Sequence, residues 1–352
     1  MKKTVLVVLA LAFSGAQAQK SIPVKLQLKW FPQAQFAGFF VAKEKGFFKE
    51  EGLDVTLLPI GDQSPIQTVV TGAADFGTTW ITDLLTARQN GLPVVHIAQI
   101  FQKSGFTLVS LKSSSLKTPK DFKGKRIGVW PSGNEYPAVA MLKKYGYSSS
   151  LDATASKPDV QAITYPFDPA LVFPDKVDLV SAMTYNELDQ IMGLGYSADK
   201  LKVFKAADYG VNLLEDLMFT SEKVLSDKNF GGSGLTGKEV AAKLIRASIK
   251  GWDYAVKHQA EAVQMVLPVC GNTCKGSGNR SDAKAHQTWQ MNEVAKLYNA
   301  GSTLKGKAGL LDPKAYQDSV KLLKDLGILK SNPSPSAVDY SVWEMATGKK
   351  SK

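Results

Sequence analysis

Lys29-Trp30-Phe31-Pro32-Gln33-Ala34-Gln35-Phe36-Ala37-Gly38-Phe39-Phe40-Val41-Ala42-Lys43-Glu44-Lys45-Gly46-Phe47-Phe48 is the stretch on which the reading of the fold turns. It predicts the end of a short strand (Lys25–Trp30), a polar and aromatic loop, and a helix opening near Phe36. In α/β folds a ligand sits beyond the carboxyl ends of strands. At that place this chain carries the indole of Trp30, the amides of Gln33 and Gln35 and the ring of Phe36, with no phosphate-type glycine loop and no metal ligands. Such groups grip a flat polar molecule; they do not cut one.

Outward from that stretch, strand and helix signals alternate. Leu53–Pro59 reads as a strand, Pro65–Thr71 opens a helix, Ala74–Trp80 is a short strand turning into another helix, and Pro93–Ile100 is an apolar strand. A second unit of the same kind follows residues 118–124. Its strand Lys125–Trp130 leads into Pro131–Pro137 and an apolar-periodic helix, with Ser132 or Asn134 as its cap and Pro137 in its first turn. Val177–Met183, Lys202–Lys205 and Leu217–Thr220 complete the series. Such alternation implies an α/β chain with mostly parallel sheets covered by helices. From Thr236 helices take over, opened by the capping-box spacing Thr236-Gly237-Lys238-Glu239 and one face of Val240, Leu244, Ser248, Trp252 and Val256.

At 352 residues, two domains are the default. Lys2 and Lys3, the apolar run Val5–Phe13 and Ala16-Gln17-Ala18 compose an export signal cleaved before Gln19. The run is about half the ~20 residues of a membrane span, and no cysteine follows it to carry a lipid. The net charge of +11 is spread singly and in pairs among acids, without the clustered stripe of a nucleic-acid binder. The two cysteines, Cys270 and Cys274, sit in Cys-Gly-Asn-Thr-Cys, and export favours a disulfide between them, closing a very short loop. His96, His258 and His286 are scattered, so no metal is expected.

Catalytic look-alikes fail on chemistry. Residues 232–238 nearly spell a nucleotide-binding loop, but Glu239 stands where a magnesium-binding hydroxyl is required. Asp75-Phe76-Gly77 lacks any kinase partner motif, and no nucleophile-elbow sequence is present. The aromatic loops are stronger candidates. Trp30, Trp80 and Trp130 each fall at or just beyond a strand end, and each has core packing as its alternative reading. Aromatic faces stack on a flat ring while neighbouring amides and carboxylates read its edge. Gln33, Gln35, Asn134, Glu135, Asn186 and Glu187 are placed for that reading. Asn134 has the alternative of a helix cap, and Glu135 and Glu187 that of complementing a helix dipole. Glu215 and Asp216, near the return crossing between units, either contact ligand or hold a hinge.

The Trp-x-Pro-Gln-x-Gln-Phe-Ala-Gly loop, Gly-Phe-Phe-Lys-Glu-Glu-Gly-Leu-Asp-Val (46–55), Asp-Phe-Lys-Gly-Lys-Arg-Ile-Gly-Val-Trp (121–130) and Gly-Asn-Glu-Tyr (133–136) together resemble ABC-importer substrate-binding proteins of the NMT1/THI5-like group. Ser181–Glu187 and Asn212–Asp216 extend the likeness over nearly the whole exported chain. The resemblance implies a two-lobed periplasmic binding protein fold of type II, each lobe a mostly parallel sheet flanked by helices, joined by two crossover hinges. It divides the chain into a signal peptide (1–18), lobe one (19–107 and 216–352, with the C-terminal helices) and lobe two (108–215). It carries over Trp30, Gln35, Phe36, Trp80, Trp130, Gly133, Asn134, Glu135, Tyr185, Asn186 and Glu187 as ligand-binding residues, with Glu215 and Asp216. The function it implies is periplasmic capture of a planar nitrogen heterocycle, a thiamine-pyrimidine precursor or riboflavin, and delivery by a monomer to membrane permease subunits. Neither a cofactor nor nucleic acid takes part. The alternatives are a carrier of alkanesulfonate, taurine or nitrate, an exported pyrimidine-synthase-like enzyme, and a sensor domain. Carboxylates and indoles weigh against an anion, which would profit from Arg, Lys or bare backbone amides. Synthases of the group use a cysteine-rich iron motif with histidine, and this chain has only Cys270 and Cys274.

Overall fold

The computed structural model describes residues 21–351 apart from Ser132 and Ala153; the signal read over residues 1–18 and the cap read at Ser132 lie outside the described residues. Ten strands are defined among them: β1 (Ile22–Gln27), β2 (Leu53–Leu58), β3 (Phe76–Thr79), β4 (Val94–Gln99), β5 (Phe106–Leu111), β6 (Arg126–Val129), β7 (Gln161–Thr164), β8 (Leu179–Met183), β9 (Leu201–Lys205) and β10 (Leu217–Ser221). They build two five-stranded sheets, in the orders β2-β1-β3-β10-β4 and β7-β6-β8-β5-β9. In the first, β2, β1 and β3 are parallel and β10 runs antiparallel between β3 and β4. The second repeats the plan, with β7, β6 and β8 parallel and β5 antiparallel between β8 and β9. The fold is therefore α/β with two lobes, each a mostly parallel sheet flanked by helices. The chain crosses between the sheets twice, in residues 100–105 and 206–216. Each crossing ends at an antiparallel strand, which brings both crossings to the edge where the parallel strands finish.

Central strands such as β10 and β8 are buried along their whole length, as sheets covered on both faces require. The C-terminal helices cover lobe one. Gly237–Lys257 starts at the capping box read from the sequence: Glu239 N–H donates to Thr236 Oγ1, and the Glu239 carboxylate accepts from Thr236 N–H at 2.7 Å. This helix lies on Ala37–Glu44, the helix that follows the first loop. A Cβ on Gly38 would stand 2.2 Å from the Trp252 indole, and one on Gly251 would stand 2.1 Å from Gly38 O. The helices thus touch nearly backbone to backbone, and an alanine at either glycine would overpack the contact at a cost of about 1–3 kcal/mol. Trp252 is fully buried there, stacked on Tyr298 at 5.6 Å. This contact fixes where the first loop leaves the core.

Candidate functional site

The residues that follow β1, β3, β6 and β8 meet in one cleft between the lobes, which encloses about 20 Å³. Trp80 comes directly after β3 and Trp130 directly after β6, while Trp30 follows β1 by three residues; all three line the cleft. Met183, Tyr185, Asn186 and Glu187 line it from the end of β8. Trp130 is held by an edge contact with Phe106 (6.2 Å) and a tilted contact with Tyr165 (5.9 Å), and its indole N–H has no acceptor among the described residues. At the mouth, Trp30 and Phe31 of lobe one meet Phe167 of lobe two edge-on, at 6.2 and 5.5 Å. The lobes are therefore in contact, and the cleft is narrow.

Lys29 is the cation of the cleft, a residue the sequence reading passed over. Its ammonium is paired with Asp83 and lies over the Trp80 ring, 4.6 Å from the centroid. Thr79 Oγ1 also donates to the same Asp83 oxygen at 2.9 Å. Across the lobes Gly133, at φ +94°, presses against Asp83: a Cβ there would stand 2.6 Å from Asp83 Oδ1. Gly133 thus belongs to the closure contact and lies beside the cleft, outside its lining. Glu135 accepts from Gly133 N–H at 2.9 Å and also stays outside; burial raises its pKa. Asn134 lines the cleft, but its amide donates to Pro131 O at 2.9 Å, and the helix Tyr136–Lys144 begins without a side-chain cap. The capping role read for Asn134 is corrected accordingly: Glu135 occupies the position before the helix, and no side chain there accepts a helix N–H.

Glu187 is buried in the cleft wall. One carboxyl oxygen accepts from Met183 N–H at 2.9 Å and the other from Asn186 Nδ2 at 2.7 Å, while burial pushes its pKa up to about 7. Its remaining lone pairs can take a donor from a ligand. Tyr185 is held protonated, burial and nearby carboxylates raising it well above its ordinary range.

The amides read as ligand contacts bind mostly one another. Gln35 donates to Asp216 Oδ2 (2.7 Å) and accepts from Gln33 (2.8 Å); Gln33 accepts from Gln290 (3.2 Å); Gln290 donates to Asn186 Oδ1 (2.7 Å). His286 closes the chain, one ring nitrogen 2.9 Å from Asn186 Oδ1 and the other 2.7 Å from Asp189. This buried line of hydrogen bonds runs behind the cleft from lobe one to lobe two. Gln287 and Gln290 come from the helix Ala283–Tyr298, more than two hundred and fifty residues from the loop they hold, and no local signal announces them.

Glu215 does not line the cleft. It accepts from Ser104 Oγ (2.5 Å) and Gly105 N–H (2.8 Å), tying the two interlobe crossings together, and burial pushes its pKa up to about 8. Asp216, at φ +48°, supports Gln35 from behind, its pKa raised to about 7 by burial. Phe36 is fully buried in the core of lobe one and is not part of the lining. Cys270 and Cys274 are joined as a disulfide, with Cα atoms 5.2 Å apart.

Residues 33–262 match the family profile described as NMT1/THI5 like. The chain is 26% identical to a formylaminopyrimidine-binding protein of Halalkalibacterium halodurans, over 69% of each chain. It is 28% identical to the riboflavin-binding protein RibY of Chloroflexus aurantiacus, over 80% of this chain and 76% of that one. It is also 24% identical, over 67% of each, to a 4-amino-5-hydroxymethyl-2-methylpyrimidine phosphate synthase of Saccharomyces cerevisiae. Among solved structures, the ligand-binding component of an ABC-type import system from Staphylococcus aureus superposes with a TM-score of 0.63 at 14% identity, covering 94% of this chain and all of that one. The alkanesulfonate-binding protein of Xanthomonas axonopodis gives 0.60 at 13% identity, covering 91% and 99%. At such identities these two structures speak for the fold.

Proposed function

The chain belongs to the NMT1/THI5-like family, and on that premise we propose that it is the extracytoplasmic substrate-binding component of an ABC importer, closing its lobes over a planar nitrogen heterocycle. The observation that carries this reading is the cleft's chemistry: indole faces from both lobes, an unpartnered indole N–H at Trp130, and an acceptor carboxyl at Glu187. An aromatic ring with a ring-nitrogen acceptor and an exocyclic amine satisfies all three. The same groups disfavour a sulfonate or nitrate. Lys29 is already committed to Asp83, and burying an anion beside a carboxyl that titrates near neutrality is costly.

With the lobes in contact the cleft encloses about 20 Å³, room for about one water, so a ligand of either size would enter as the lobes part. We read the protein as a carrier and not a synthase: Lys29 is neutralised by Asp83, Tyr185 keeps its proton, and Glu187 is committed on both oxygens, which leaves no activated nucleophile in the cleft. Among the described residues no helix is long and apolar enough to cross a membrane, so permease subunits would supply the channel.

Thermal shift followed by calorimetry tests the proposal, with aminopyrimidine precursors of thiamine, thiamine, riboflavin, taurine and nitrate. A ligand confined to the folded state stabilises it by about 2.7 kcal/mol at one hundred times its dissociation constant. Stabilisation by an aminopyrimidine is the expected result. Stabilisation by riboflavin would keep the carrier and change its cargo; response to the anions alone, or turnover of any compound, would overturn the reading.

A further inference from the structure

The loop that bears Trp30, Gln33 and Gln35 has backbone groups that no strand or helix satisfies, and a buried polar group without a partner is costly. Two of them are satisfied from the far end of the chain. Ala34 N–H donates to Gln287 Oε1 at 2.7 Å, and Pro32 O lies 3.0 Å from Thr273 Oγ1, whose single proton it shares with Cys270 O at 2.6 Å. Gln287 is fully buried, and its amide nitrogen donates in turn to Cys274 O at 2.9 Å. Thr273 and Cys274 belong to the turn Gly271–Cys274, which the disulfide ties to Cys270, the last residue of the helix Gln259–Cys270. One side chain, Gln287, therefore spans the ligand loop and the disulfide turn.

We propose that the Cys270–Cys274 disulfide turn, acting through Thr273 and Gln287, is a positioning device for the ligand loop at residues 30–36, and that ligand affinity depends on it. This rests on the carrier reading above for its ligand, and on geometry alone for the loop. The covalent tie holds the turn in one conformation. That fixes Thr273 Oγ1 and Cys274 O, and these fix the backbone at Pro32 and Ala34. Gln33 lies between those two points, so its amide reaches Gln35 and Gln290 only while both hold. Neither the disulfide nor Gln287 touches the cleft. The arrangement acts on ligand by holding a loop that would otherwise be ordered at the ligand's expense.

The test uses the full chain in four forms: wild type, Thr273→Val, Gln287→Met, and the double variant Cys270→Ser with Cys274→Ser. The near-isosteric single changes remove the side-chain hydrogen bonds of Thr273 (to Pro32 O and Cys270 O) or of Gln287 (to Ala34 N–H and Cys274 O) and leave the turn's covalent tie in place. Two readouts are taken: calorimetric affinity for the heterocycle that the ligand panel selects, and hydrogen exchange of the Ala34 amide in unliganded protein. Each variant should exchange the Ala34 amide about tenfold faster and bind about tenfold more weakly. Thr273→Val should add little in the cysteine-free background, since both act through one contact. Wild-type exchange at Ala34 in Thr273→Val and in the cysteine-free protein would overturn the proposal, whatever the ligand. Fast exchange with wild-type affinity would overturn its ligand half. Should the wild type bind no heterocycle, the carrier reading fails by itself, and exchange still decides the positioning claim.

Discussion

Gly133→Ala is the substitution whose effect follows most directly from the geometry. In the closed molecule a Cβ at this position would stand 2.6 Å from Asp83 Oδ1, about an ångström short of the ~3.5 Å at which such atoms rest. Asp83 cannot swing aside cheaply, because its other oxygen holds the buried Lys29 ammonium and Thr79 Oγ1. Nor can the loop relax easily, since Gly133 sits at φ +94°, where an L side chain is strained. Full closure would then carry an overpacking cost of about 1–3 kcal/mol, which is a five- to 150-fold loss of affinity. The clash exists only when the lobes meet, while the strain at φ +94° is carried in either state and lowers the stability of unliganded protein by about 1–2 kcal/mol. Calorimetry gives the affinity, and small-angle scattering of the liganded protein gives the degree of closure. Wild-type affinity together with wild-type compaction would show that Gly133 and Asp83 do not meet in the bound state, and the closure argument would fall.

Other expectations can be checked alongside it. Trp130→Phe keeps the ring and its packing but removes the N–H, and should weaken heterocycle binding by about 1 kcal/mol, roughly fivefold, in a titration; no loss would mean that the N–H does not read the ligand. Glu187 titrates near 7, so an amine-bearing ligand should bind more weakly as pH falls from 8 to 6, and Glu187→Gln should flatten that dependence; a slope that survives the substitution would place the titrating group elsewhere. Stability should fall as pH rises from 6.5 to 8.5, by about 3 kcal/mol in urea unfolding. Glu187, Glu215 and Asp216 keep their protons in the folded state up to about 7, 8 and 7, whereas the unfolded chain releases them near 4, so the folded form binds more protons in that interval. His96, pushed down to about 4 by burial, works in the opposite sense only below about 6.5 and stays outside this window. Equal stability at both pH values would show that these carboxyls are not held protonated.

Much of this architecture could be read locally. Eight of the ten strands were legible as apolar or β-branched runs near turn residues, and the capping box at Thr236 marks its helix to the residue. The elements missed have physical reasons. β7 is a short, half-exposed edge strand, Gln161–Thr164, with little apolar signal. β5 lies directly behind a crossing, where no helix precedes it to set the alternation. Gln259–Cys270 holds Pro268, which argues against a helix interior. The cleft was legible as the set of residues following strands, because strand ends converge whatever the loops do. What each of those residues does there was not. Gln35 and Asn186 face partners from segments a hundred or more residues distant, and only those partners turn them from ligand contacts into a wall. Lys29 was visible in the quoted loop, but its commitment to Asp83 depends on β1 and β3 being neighbours.

The place of β10 also bears on how the molecule is born. β3 and β4 are joined through β10, and β10 is made after the whole of the second sheet. The strands of the second sheet, by contrast, form one uninterrupted run from Phe106 to Lys205. A chain delivered from its amino end can finish its second lobe while the first still holds a strand-wide gap with unpaired edges on both sides. The lobe begun first is thus completed last, and between those moments it is the part most in need of protection. A chain ending at residue 210 should yield a protease-resistant core from the second lobe and digest through residues 21–100; resistance of both parts would show that β1–β4 close without their inserted strand.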